Sequence, residues 1–207
     1  MDLEALREDV RRQMPDKRWR HTLGVAETAV RLAQRYGADP AKAELAALLH
    51  DYAKAWPVSR QEQIIREQGL AQDLLDYDKE LWHAHVGAWA AKTTHGIEDE
   101  EVLDAIRYHT SGRERMTLLD KIICLADYIE PGRDFPGVER IRALAEKSLE
   151  EALVAGFDST IRHLLETGKR IYPLTVIARN ALLAEIISCS KTSETEASGW
   201  QETRSNC

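Results

Sequence analysis

The 207-residue sequence holds only three cysteines, Cys124, Cys189 and Cys207, and none stands in a CxxC pair. An odd number of widely spaced thiols excludes a disulfide framework and a thiolate zinc site, and it favours a reducing compartment, the cytoplasm. Any bound metal then has to be held by histidine and carboxylate. Long apolar runs are missing as well. The longest, such as Leu45 to Leu49 and Ile122 to Ala126, fall far short of the ~18 residues that suggest a membrane span. The first residues, Met1-Asp-Leu-Glu-Ala-Leu-Arg-Glu-Asp9, carry acids where a signal peptide carries bases and an apolar stretch, so no export is expected. No segment of more than a few residues alternates with period two, no fixed-period repeat occurs, and no Gly/Ser linker divides the chain. A basic excess is also lacking: 28 Lys plus Arg against 35 Asp plus Glu leave a net charge of −7. That balance argues against broad binding of nucleic acid or an anionic membrane, while allowing one local pocket for an anion such as phosphate.

What is present is helical periodicity. Val138, Ile141, Leu144, Ala145, Leu149, Ala152 and Leu153 recur at three-and-four spacing, as do Phe157, Ile161, Leu164 and Leu165, each set forming one apolar stripe. Gly, Pro and Asp/Asn punctuation then predicts helices near 2–13, 17–36, 40–54, 59–68, 80–95, 99–109, 116–129, 138–154, 157–168 and 174–187. The expected fold class is all-α, with residues 1–187 as a single domain and 188–207 as a polar, flexible C-terminal tail. An apolar face on one of the later helices is a candidate for pairing two copies as a homodimer.

Two apolar runs end in ionisable groups. Leu45-Ala-Ala-Leu-Leu49 leads into His50-Asp51, and Ile122-Ile-Cys-Leu-Ala126 leads into Asp127. A carboxylate at the end of such a stretch is partly buried, and burying it unpaired costs several kcal/mol. Taken singly, Asp51 also reads as a helix-terminal acid paired with Lys54, and Asp127 as the partner of Arg133. Joined with His21, His83 and His109, however, they form a set of nitrogen and oxygen donors of the kind transition metals accept. Adjacent helical residues point about 100° apart, so His50 and Asp51 share an ion only near the end of their helix, with His21 and Asp127 arriving from two others.

Other residues suit an anion. Lys54 lies one turn beyond His50, and Arg133 sits in a Gly/Pro turn where its guanidinium can grip phosphate as a fork. Thr175 and Arg179 stand in the first turns of the final helix, with Tyr172 and Pro173 as an apolar wall for a base. His85, His95 and His163 lack a partner set, Trp19, Trp82 and Trp89 read as core, and Cys124 reads as a small buried apolar residue.

The order His21, His50-Asp51, Asp127 resembles the HD-domain superfamily of metal-dependent phosphohydrolases. The chain is most similar to the YqeK family, bacterial hydrolases of symmetrical dinucleoside tetraphosphates. The segments that carry the likeness are Ala47-Leu-Leu-His-Asp-Tyr-Ala-Lys54, His83-Ala-His-Val-Gly-Ala-Trp-Ala90, Ile106-Arg-Tyr-His-Thr110, Leu119 to Arg133 and Thr175-Val-Ile-Ala-Arg-Asn180. The resemblance implies an HD-domain helical bundle around a metal held by His21, His50, Asp51 and Asp127, with iron as the ion and manganese or cobalt as substitutes. It implies that diadenosine tetraphosphate is cut to two ADP, with Asp51, His83 and His109 in catalysis and one of the two histidines as general acid. The nucleotide is then expected to be contacted by His21, Asp51, Lys54, His83, His109, Thr110, Asp127, Arg133, Tyr172, Pro173, Thr175 and Arg179. Competing readings are another HD nucleotide phosphatase or phosphodiesterase, and a non-catalytic nucleotide- or metal-sensing module.

Overall fold

The structure is a computed structural model that describes the backbone of residues 2–202 and the side chains of residues 2–189. Among the described residues the chain is helical without strands. The α-helices are α1 (Leu3–Arg12), α2 (Asp16–Tyr36), α3 (Pro40–Leu49), α4 (Val58–Glu67), α5 (Trp82–His95), α6 (Glu100–Tyr108), α7 (Leu118–Ile129), α8 (Val138–Ala145), α9 (Leu149–Glu166) and α10 (Pro173–Glu202), with short 3₁₀ turns at Gln72–Asp76 and Lys79–Leu81. None of the described helices is long and apolar enough to cross a membrane.

Local chemistry explains the ends that matter for the site. Asp39 caps α3 by accepting from the Ala41 and Lys42 amides, with Pro40 at the first helical position. Thr117 and Asp120 form a reciprocal capping box at the start of α7. Asp99 accepts from the amides of Glu101 and Val102 to open α6.

α7 is the central helix: nine of its twelve residues are buried, and it packs against α2, α3, α6, α8 and α9. A helix buried on most of its faces is stable only when it is covered on those faces, and its buried Asp120 and Lys121 are met by Arg113 and by Glu150 and Glu185. Small residues let the neighbours close in, because Ala26, Ala29 and Ala33 of α2 and Ala43, Ala46 and Ala47 of α3 are all buried and α2 packs along α3. That close packing sets His21, on α2, beside the end of α3, where His50 follows directly.

The structure corrects the predicted helix over 138–154. The break falls between Ala145 and Leu149, where the Ser148 hydroxyl caps α9 by accepting from the Glu151 amide, and Gly156 lies inside α9 rather than between two helices. Gly156 serves packing: a Cβ there would stand 3.0 Å from the Tyr128 ring of α7. α3 ends at Leu49, earlier than the expected 54, so Asp51 and Lys54 lie in turns. α10 continues past Ser188, where the flexible tail was expected to begin, and runs to Glu202; positions 203–207 of that expected tail lie outside the described residues. Exposed large apolar side chains on the last two helices are Leu165, Val176, Ile177 and Ile187.

Gly156→Val is expected to overpack the contact with Tyr128 and destabilise the fold by ~1–3 kcal/mol. Thermal unfolding checks this, with Tm falling roughly 2–4 °C per kcal/mol for a chain of this size.

Candidate metal centre and its two cavities

The end of α3, the first two turns of α2, the start of α5, the end of α6 and the end of α7 converge on Asp51, which is 3% exposed. Its two oxygens face different histidines. Oδ2 lies 3.4 Å from His50 Nε2 and 3.6 Å from His21 Nε2. Oδ1 lies 3.0 Å from His83 Nε2 and 4.0 Å from His109 Nε2. Donor atoms of His21, His50 and Asp51 lie close enough together to hold one ion, and so do those of Asp51, His83 and His109. Asp127 joins from α7, with Oδ1 3.0 Å from His21 Nε2 and 3.9 Å from His50 Nε2. All six donors expected from the sequence therefore meet.

Each imidazole is oriented by its other nitrogen. His50 directly follows the last residue of α3, and its Nδ1 lies 2.6 Å from the Ala47 carbonyl. His109 directly follows α6 in the same way, with Nδ1 2.7 Å from the Ile106 carbonyl. His21 sits within its helix, and there the acceptor is Glu130 Oε1 at 3.0 Å. These acceptors place the proton on Nδ1 and leave the Nε2 lone pairs facing Asp51 and Asp127, as metal-ligating histidines require. The Nε2 atoms of His21 and His50 are buried and make no hydrogen bond. Two orphaned nitrogen donors beside two carboxylates fit a divalent metal ion.

Charge explains how two acids are held in the interior. Burial by itself raises the Asp51 carboxyl, but the neighbouring His50 and His83 outweigh it and hold Asp51 well below the usual carboxylate range. For Asp127, burial is outweighed by the adjacent His21 imidazole and the Arg133 guanidinium, with the same result. Burial lowers His50, yet the charges of Asp51 and Asp127 lift it above its ordinary value. His109 is pushed down to about 3 by burial and by the nearby His50 and His83, so it is neutral. Burial also lowers His83.

Two bases complete the shell. Arg133 bonds to the Asp127 carboxylate, as the sequence suggested. Asp51 is not paired with Lys54; its base is Arg18, whose Nη1 lies 2.8 Å from Oδ2. Lys54 Nζ instead reaches Glu80 Oε2 at 2.8 Å and His83 Nδ1 at 3.3 Å.

The cluster opens on two cavities. The first, about 830 Å³, is lined by His109, Thr110, Asp127, Tyr172 and Thr175, among others. The second, about 1250 Å³, is lined by His21, the start of α2 and the Glu130–Phe135 turn. Both are bounded by Lys54, Glu80, Arg133 and Phe135. Pro173 and Arg179 do not line either cavity, and Arg179 Nε is bound to Asp158 Oδ1 at 2.8 Å. His163, set aside from the sequence, does line the first cavity. His85 is buried against Tyr108 and its pKa is lowered to about 4 by burial, while His95 packs on Tyr52. Trp82 is buried and donates to the Leu74 carbonyl, and Trp19 and Trp89 pack against the core.

Sequence reasoning missed Arg18 and the role of Glu130. Glu130 was visible only as part of a Pro-Gly turn, yet it is 4% exposed, a burial that an acid tolerates only with partners. It also accepts from the Gly132 amide. Gly24, one turn after His21, makes room for it: a Cβ at Gly24 would lie 2.7 Å from Glu130 Oε2.

Glu130→Ala is expected to weaken metal affinity by about 10–100-fold, read by metal titration of the purified variant. Because the charges of Asp51 and Asp127 lift His50 above its ordinary value, a proton and an ion compete for its Nε2. Apparent metal affinity is therefore expected to fall as pH drops and His50 takes up that second proton, which metal titration at a series of pH values measures.

The HD domain family matches residues 18–132, more than half the chain and every donor of the cluster. A Bacillus subtilis protein named "Bis(5'-nucleosyl)-tetraphosphatase, symmetrical" is 48% identical over 175 residues, covering 84% of this chain and 94% of that one. A protein of the same name from Halalkalibacterium halodurans is 50% identical over 176 residues, covering 85% and 94%. A crystal structure from Clostridium acetobutylicum, of a "predicted HD superfamily hydrolase involved in NAD metabolism", shares 40% identity at a TM-score of 0.85, over 89% of this chain and 98% of that one. The chain belongs to the HD-domain family and, within it, to the YqeK family of these symmetrical bis(5'-nucleosyl)-tetraphosphatase relatives.

Proposed function

We propose that this protein hydrolyses diadenosine tetraphosphate and related dinucleoside polyphosphates symmetrically, giving two nucleoside diphosphates. The observation that carries the reading is the donor cluster lying between two cavities and flanked by Arg18, Lys54 and Arg133. Such a layout suits an anionic chain cleaved away from its ends. The relatives named symmetrical tetraphosphatases support it. Water adds across the central anhydride, one P–O bond breaks, and each product leaves with two phosphates.

His21, His50, Asp51 and Asp127 are the ligands of this reading, with iron as the ion and manganese or cobalt as substitutes. A bound ion supplies Lewis acidity and a lowered water pKa. The rest is work for the chain's own groups. Lys54 donates to His83 Nδ1, so the His83 proton sits on Nε2, 3.0 Å from Asp51 Oδ1 and 3.1 Å from the unprotonated His109 Nε2. As Nε2 gives this proton to the departing phosphate oxygen, Lys54 Nζ passes one of its own to Nδ1, so the imidazole stays neutral throughout; Asp51 and His109 hold the Nε2 proton until then. Arg133 and Lys54 compensate phosphate charge, while Thr110, Thr175 and Tyr172 bound the space for ribose and base. Pro173 and Arg179 drop from this set on the geometry above. The catalytic unit is residues 1–187, and a reducing cytoplasm is the setting consistent with a buried free Cys124.

Metal-loaded protein incubated with diadenosine tetraphosphate is expected to yield ADP as sole product; AMP plus ATP, or no turnover, overturns the reading. Asp51→Ala and Asp127→Ala are expected to abolish metal content and activity together, and His83→Gln to retain metal while losing ~10²–10⁴-fold in kcat.

A further inference from the structure

We infer that the second cavity is a nucleoside-diphosphate subsite, seating the half of a symmetrical substrate that the first cavity does not hold. The assignment rests on the symmetrical hydrolysis proposed above. Cleavage at the middle of such a substrate divides it into two chemically equal halves. The cleavage centre therefore needs room and positive charge on both sides, whereas a centre that removes a terminal phosphate needs them on one.

The cluster is placed between the cavities in that way. Asp127 and His109 stand on the wall of the first, and His21 stands on the wall of the second. Asp51 is buried between them, 4.0 Å from His109 and 3.6 Å from His21. Lys54, Glu80 and Arg133 belong to both walls, so the ridge dividing the two spaces carries two cations against one acid. The second cavity is the larger, about 1250 Å³ against about 830 Å³, so neither is too small for a nucleotide-sized ligand.

Its charge supports an anion. Lys17, Arg18 and Arg20 line it from the start of α2. The acids on the same wall are largely spoken for: Glu80 is bound by Lys54, and Glu130 by His21 and the Gly132 amide. Glu27 and Asp134 are exposed at the surface. Arg18 lines only the second cavity, and its guanidinium already reaches the cluster through Asp51 Oδ2 at 2.8 Å. A phosphate adjoining the scissile bond on this side would meet that fork within the reach of the ion site. α2 opens at Pro15 with no side-chain cap on its first-turn amides, so the positive end of a 21-residue helix adds to the same wall.

The experiment counts product sites. The metal-loaded full chain is titrated calorimetrically with ADP. Two equivalents per chain are expected in the wild type. Lys17→Glu combined with Arg20→Glu, both exposed positions outside the metal shell, is expected to remove one equivalent and keep the other, with metal content unchanged. Thr175→Trp, which fills the first cavity, is expected to remove the complementary one. A single equivalent in the wild type, or two equivalents persisting in the double variant, overturns the proposal. The count is independent of turnover, so failure of the reaction reading, seen as AMP plus ATP or as no cleavage of diadenosine tetraphosphate, is told apart from failure of the subsite.

Discussion

A carboxylate sealed inside a helical bundle is the constraint from which the rest follows. Asp51 sits at the end of an alanine- and leucine-rich helix and is almost wholly excluded from water. Left alone it would protonate or unfold its surroundings, since the desolvation of an unpaired charge exceeds what packing returns. The bundle answers with four imidazoles from four places in the chain and one guanidinium. The folding requirement and the chemical site share atoms, because the imidazoles that surround Asp51 are also donors an ion can use, while the Arg18 guanidinium supplies charge alone.

That coupling shapes the architecture around it. α2 and α3 have to approach closely, which their buried alanines permit, and the α7 backbone has to deliver both Asp127 and, one residue past its end, Glu130. Gly24 and Gly156 are the complementary omissions: each leaves out a Cβ where a neighbouring side chain, Glu130 or Tyr128, needs the space.

Much of the centre was legible in the sequence because apolar runs that end in acids are rare and conspicuous. His50-Asp51 and Asp127 announced themselves in this way. Arg18 did not, since an arginine near the start of an amphipathic helix looks like any solvated base until the fold shows which acid it meets. Glu130 was masked by its Pro-Gly context, which reads as a surface turn. Thr175 and Arg179 lie one helical turn apart and were expected to act together, but a long side chain follows the nearest charge, and Asp158 on α9 holds Arg179 away. The helix break near 147 was misplaced because Gly156 mimics a terminator, while the true signal was the Ser148 cap.

His50 and His109 share a feature whose reach extends beyond this site. Each follows the last residue of a helix and turns its Nδ1 to the carbonyl three residues back, an acceptor that the helix leaves over at its end. The tautomer of these two imidazoles is thus specified by the peptide backbone. A substitution of similar size at position 47 or 106 would leave the accepting carbonyl, and so the choice of protonated nitrogen, in place. His21, which depends on the carboxylate of Glu130, has no such insurance, and a change in that supporting side chain would free the ring to turn or change tautomer.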